Sequence, residues 1–100
     1  MEVGMLVLMT YDVSTATEAG EKRLRKVAGL CEKYGMRVQN SVFEVMVDNA
    51  QFIMLKAQLE KLIDHENDSV RFYKLGNKYQ HKIETMGKTP LVQAGGALII

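Results

Sequence analysis

A single cysteine, Cys31, stands in a chain of 100 residues, so neither an internal disulfide nor a cysteine-built zinc site can form. It falls inside a helical pattern and reads as core, as expected in a reducing cytoplasm. No apolar run approaches the roughly 18 residues of a membrane span, and no basic-then-apolar leader is seen, so neither a membrane nor a secreted address is expected. Internal repeats and low-complexity segments are missing too. So is any excess of charge: 13 Lys and Arg against 12 Asp and Glu leave a net +1, which neither demands nor excludes nucleic acid. The placement of the basic residues has to decide. His65 and His81 have no spaced His, Cys or acidic partner of zinc type, which removes both as zinc ligands.

What is present is a globular composition, 47% hydrophobic and 25% charged, enough for one domain over residues 1–100 and too little for a second core. A fold of this size buries only about 60% of its unfolded-chain surface, so its stability is expected to lean on a partner subunit. "MEVG" reads as an extension before the first strand. Met5 to Asp12, "MLVLMTYD", is nearly continuously apolar, which suits a central strand buried on both faces. A loop, "VSTATEAG", precedes a helix predicted from Glu21 to Tyr34 by the spacing of Leu24, Val27, Ala28 and Cys31, with Gly35 ending it. Two short strands follow, Met36 to Gln39 and Val42 to Val47. Asp48 with Gln51 forms a capping box for a second helix striped by Phe52, Leu55, Leu59, Leu62 and Ile63, with His65 at its end. "SVRFYKLG" is another strand, stopped by Gly76, and the polar, basic stretch 77–90 has room for one more short strand.

The order β-α-β-β-α-β is that of an α+β, ferredoxin-like sandwich, an antiparallel sheet with both helices on one face. Residues 5–82 form the expected core and 83–100 an additional C-terminal strand or tail. That tail ends "GALII", an apolar run that would be a sticky edge if left free. Pairing with a sheet edge solves the problem, and the neighbour's sheet in a homodimer is the favoured edge.

Taken residue by residue, local chemistry has ordinary explanations. Asp12, at the end of the first strand, suits a turn whose carboxylate bonds nearby backbone N–H groups. Tyr11 alternates in direction with it and reads as a core-edge aromatic. Ser14 and Thr15 suit loop capping. Lys22, Arg23, Arg25 and Lys26 open a helix, where cations are mildly unfavourable, and Arg23 and Arg25 cannot share one face. Arg37 can snorkel over the sheet, Ser41 can satisfy the strand break, and Phe43 fits the core.

Three stretches in this order, "YDVST" after a buried strand, "KRLRKV" opening a helix and "YGMRVQNSVFE" after it, resemble the CRISPR-associated protein 2 family, with "RVQNSVFE" the most specific. The resemblance runs from Met5 to the tail. It implies a ferredoxin-like homodimer whose C-terminal strands cross to the partner. It further implies a role in spacer acquisition beside the integrase subunit, and metal-dependent nuclease activity on RNA or double-stranded DNA. By the same resemblance Asp12 is the catalytic and metal-holding residue, for Mg²⁺ or Mn²⁺, with Tyr11 beside it. The resemblance also matches Arg37 to a motif arginine that would bind nucleic acid and puts Phe43 near the dimer centre. From the residues themselves, Arg23, Arg25 and Ser41 can contact nucleic acid, and Leu98, Ile99 and Ile100 of the tail are expected at the dimer interface. A two-fold axis near the strand tip would turn one aspartate per chain into a pair.

Two functions compete on this basis: an Mg²⁺-dependent endonuclease, and a non-catalytic scaffold that binds DNA and bridges integrase subunits. Only the first needs Asp12 to be chemically active. A ligand-sensing module is a distant third, because "STATEAG" is too ordinary for a ligand-cradling loop. If the tail crosses to the partner, deleting Ala97 to Ile100 weakens the dimer, which solution mass measured over a dilution series will show; an unchanged mass refutes the crossing.

Overall fold

The computed structural model describes residues 4–88. The elements are β1 (Met5–Asp12), α1 (Glu18–Cys31), β2 (Gly35–Gln39), β3 (Val42–Val47), α2 (Asn49–Leu62) and β4 (Ser69–Gly76). The four strands form one antiparallel sheet in the order β2-β3-β1-β4. This is the ferredoxin-like arrangement expected from the element order.

Along β1 the side chains alternate. Val7, Met9 and Tyr11 are buried, and they pair with neighbours that continue the same face: Val45 and Phe43 on β3, Phe72 and Val70 on β4. Val27, Ala28 and Cys31 of α1 and Phe52, Leu55 and Leu59 of α2 complete a single core on that side. Phe52 meets Phe72 edge-to-face, with centroids 5.3 Å apart. The opposite face carries Leu8, Thr10 and Asp12, of which the first two are half-buried and the last is exposed. The expectation of a strand buried on both faces is therefore only half met, because both helices lie on one side. Leu6 is the exception, buried on the far face.

Helix α1 starts and stops three residues earlier than its apolar spacing predicts. Thr17 caps it, its Oγ1 accepting the Gly20 N–H at 3.0 Å, and the backbone turns out through Glu32, Lys33 and Tyr34. Gly35 is not the helix terminator but the first residue of β2, where an added Cβ would stand 1.9 Å from the Glu44 carbonyl oxygen. Helix α2 has the predicted capping box, with Gln51 N–H to Asp48 Oδ1 at 2.7 Å and Asp48 N–H to Gln51 Oε1 at 3.0 Å. His65 lies beyond its end, a ring nitrogen 2.8 Å from the Glu60 carbonyl. Gly76 closes β4 at φ +80°, a conformation that favours glycine. Among the described residues 77–88 the expected extra strand does not form. The tail, with Leu98, Ile99 and Ile100, lies outside the described residues.

Phe43 is fully buried between the sheet and the helices. Its truncation to alanine is expected to destabilise the chain by about 3–5 kcal/mol, read from the midpoint of a urea titration at unchanged slope.

Candidate active site at the tip of the first strand

The end of β1 overhangs its neighbour. Pairing with β3 stops at Thr10 with Val42, whereas pairing with β4 continues through Tyr11 with Val70 to Asp12 with Ser69. One further bond holds the tip on the β3 side, from Tyr11 N–H to the Ser41 carbonyl at 2.9 Å. Asp12 is exposed, on the sheet face that the helices leave open. Arg71 shares that face one pair further along, opposite Thr10, and donates to the Tyr73 hydroxyl at 3.1 Å.

Tyr11 points the other way. Its hydroxyl donates to Asp68 Oδ2 at 2.5 Å inside the protein. Arg23, from α1, grips the same carboxylate with two bonds, Nε to Oδ2 at 2.8 Å and Nη2 to Oδ1 at 3.1 Å. Asp64 N–H adds a fourth donor at 3.0 Å. The Asp68 side chain has no solvent exposure, while that of Arg23 keeps 22%. Burial alone would raise the Asp68 carboxyl, but the donors from Arg23, Tyr11 and the Asp64 backbone outweigh it and hold the group below its ordinary range. Burial, reinforced by the bond to Asp68, pushes the Tyr11 phenol up to about 12. A tyrosine so placed stays protonated near neutrality and faces away from Asp12. Tyr11, expected beside Asp12 at the site, therefore turns its hydroxyl to the helix side of the sheet.

The loop leading to Asp68 is wound about Asp64, whose carboxylate accepts from Glu66 N–H and from the Asn67 side-chain amide. The other loop of the site is held just as closely. An added Cβ at Gly20 would come 1.7 Å from the Ser14 carbonyl oxygen, so the first turn of α1 lies directly against the segment that follows Asp12.

The basic residues divide. Arg23 is committed to Asp68, in the one ion pair among the described residues. Arg25 and Arg37 line one cleft of about 260 Å³ with Thr15, Leu24 and Asn40, and with the carboxylate of Glu21. Arg37 Nε donates to the Asn40 carbonyl at 2.8 Å, and its guanidinium lies 5.8 Å from the centre of the Phe43 ring. Ser41 is half-buried and serves the site through its backbone carbonyl. Phe43 has no accessible surface in the protomer, so a dimer interface could meet only its neighbours. Within the protomer Phe43 is a core residue.

A family model described as "CRISPR associated protein Cas2" matches residues 5–83. The chain belongs to that family. The "CRISPR-associated endonuclease Cas2" of Halalkalibacterium halodurans is 55% identical over 95 residues, 95% of this chain and 99% of the relative. The "CRISPR-associated endoribonuclease Cas2 3" of Rhodospirillum rubrum is 50% identical over 95 residues, 95% of this chain and all of the relative. The crystal structure of Streptococcus pyogenes Cas2 superposes with a TM-score of 0.78 at 57% identity, covering 83% of this chain and all of that one. The Cas2 resemblance carried by "YDVST" and "RVQNSVFE" thus extends over nearly the whole chain.

Two residues near the tip escape a reading of the sequence. Asp68 acts on partners 57 and 45 positions away, a closeness that no local pattern encodes. Arg71 joins the face of Asp12 only once the register between β1 and β4 is known; alternation within "SVRFYKLG" was the available signal.

Because the folded Tyr11 value lies above its ordinary 10, its bonding contributes stability that is fully present below pH 10 and is lost as the pH rises toward 12. Asp68 works in the opposite sense, contributing stability above the ordinary carboxylate range that is lost as the pH falls through its lowered value. Denaturant titrations from neutral to strongly alkaline pH should show the wild type losing on the order of 2–3 kcal/mol more than Tyr11→Phe.

Proposed function

We propose that two copies of the chain associate with their open sheet faces toward a two-fold axis, so that paired Asp12 carboxylates form a divalent-metal site for phosphodiester cleavage. The carrying observation is the exposed carboxylate at the tip of β1, on the face the helices leave uncovered, in a family whose relatives bear nuclease names. Leu8, Met46 and Tyr73 share that face and offer the apolar surface that a partner would cover.

The donor chemistry fits half a site. A carboxylate is the hard oxygen ligand that Mg²⁺ or Mn²⁺ takes, and Mg²⁺ commonly uses one or two of them while keeping several waters. Among the described residues no group of three His, Cys, Asp or Glu is placed to hold a metal within one chain. Symmetry supplies the second Asp12. When bound, the cation would offset the negative charge that grows on the phosphodiester under attack. Of the chain's own groups, Arg71 lies on the face of Asp12 and would orient the substrate there. Arg25 and Arg37 offer charge-assisted donors to more distant backbone phosphates, from a cleft on the helix side of the sheet. The cellular setting of this reading is spacer acquisition in the cytoplasm, beside the CRISPR integrase, with RNA or double-stranded DNA as substrate.

A second reading has its own support. The Arg25 and Arg37 cleft draws on a helix and a strand and can hold phosphates without Asp12, which suits a DNA-binding scaffold joining integrase subunits.

The deciding measurement is cleavage of labelled single-stranded RNA and double-stranded DNA by the wild type and Asp12→Asn, in Mg²⁺, Mn²⁺ or EDTA. The nuclease reading expects metal-dependent cutting that falls to the EDTA background in the variant, with dimer and melting temperature unchanged. Binding without cutting by either protein gives the scaffold reading precedence, and equal cutting by both removes Asp12 from the chemistry.

A further inference from the structure

We propose that Asp68 is a positioning residue for Asp12: its buried carboxylate locks Tyr11 against α1, and that lock commits Asp12 to the open face of the sheet. The inference rests on the nuclease reading only where it concerns turnover; the lock itself is a statement about the strand tip.

The last pair of the β1–β4 ladder is Asp12 with Ser69. The residue before Asp12 is Tyr11 and the residue before Ser69 is Asp68, and these two are joined by the 2.5 Å bond from phenol to carboxylate. The side-chain bond therefore lies beside the final pair, where β1 has already outrun β3. In a strand, successive side chains point to opposite faces. While Tyr11 is held on the helix side, Asp12 must face away from the helices; a tip that rolls or slips by one residue exchanges the two. Asp12 makes no side-chain hydrogen bond among the described residues that could set its direction independently. Its orientation is inherited from the backbone, and the backbone from Tyr11.

Arg23 completes the device. A carboxylate bonded to Tyr11 alone could swing with it, but the two-pronged grip from α1 fixes the plane of the Asp68 carboxylate. The phenol thus meets an acceptor that cannot follow it. Arg23, a candidate phosphate contact from the sequence, is through this grip a second positioning residue. Stability alone is a weak explanation for such a cluster, since well-packed apolar side chains often serve a core at least as well as a buried ion pair. Direction is what an apolar cluster would not supply.

The test uses the full chain with Asp68→Asn, and with Tyr11→Phe as the gentler variant that keeps the Arg23–Asp68 pair. Amide hydrogen exchange is measured residue by residue, and kcat, KM and the Mn²⁺ dependence of cleavage are measured in parallel. The lock predicts faster exchange at Tyr11, Asp12, Val13, Ser69 and Val70, with Val7, Met9 and Val45 unchanged. It also predicts kcat lower by about tenfold, the scale seen when a partner orienting a metal ligand is lost. KM for nucleic acid should stay unchanged, and more Mn²⁺ should be needed for half-maximal rate. Uniform loosening of β1, with activity falling only in step with the folded fraction, overturns the proposal in favour of a purely structural role. So does a loosened tip with normal kcat. If the wild type does not cut at all, the nuclease reading fails, and the exchange pattern alone still upholds or overturns the lock.

Discussion

A buried carboxylate is tolerated only when its bonds replace the water it has given up. At Asp68 that requirement draws together four segments: the tip of β1 through Tyr11, the first half of α1 through Arg23, the turn after α2 through the Asp64 N–H, and β4, which begins at the next residue. Removing one partner of such a group typically costs about 3–5 kcal/mol, a large share of the roughly 5–15 kcal/mol that holds a domain together. The cluster therefore constrains where α1 can sit and where the loop between α2 and β4 can run. The end of the molecule that carries Asp12 is built around it.

The two faces of the sheet divide the labour. Both helices pack on one side, where Val7, Met9, Phe43, Val45 and the helix stripes form the core. The other side is left to a mixture of half-buried apolar residues and the polar groups Asp12, Ser69 and Arg71. Strand alternation makes this division automatic, since each residue sent to the core sends its neighbour outward. The surface proposed to carry chemistry is thus the complement of the surface that carries stability. Substitutions at Asp12 or Arg71 should then be cheap for the fold.

Much of this was legible from local pattern. The Asp48–Gln51 capping box, the stripe of α2, the stop at Gly76 and the outward turn of Asp12 against Tyr11 each depend on residues within a few positions of one another, and each is found in the structure. Helix α1 begins three residues before its apolar spacing predicts, because several small and hydroxyl side chains in "STATEAG" can cap it and only the folded backbone selects Thr17. A glycine after a helix usually ends it, whereas at Gly35 the close approach of Glu44 is what demands the residue. Asp68 was invisible for a different reason: its meaning lies in a phenol and a guanidinium brought to it by the topology. For the site, Asp12 was named through resemblance, while its surroundings needed the register.

The engagement of Arg23 changes how the basic run "KRLRKV" should be counted. Lys22, Arg25 and Lys26 are exposed, but Arg23 shares its charge with Asp68 and keeps little surface. A cation already neutralised within the protein releases few counterions from a polyanion. Each one removed from the binding face lowers the salt sensitivity of duplex binding by about 0.9 in the logarithmic slope. The electrostatic footprint of the chain is thus smaller by one cation than its sequence suggests, and by two in any symmetric pair. Any attraction of this run for a polyanion would rest on the three exposed side chains.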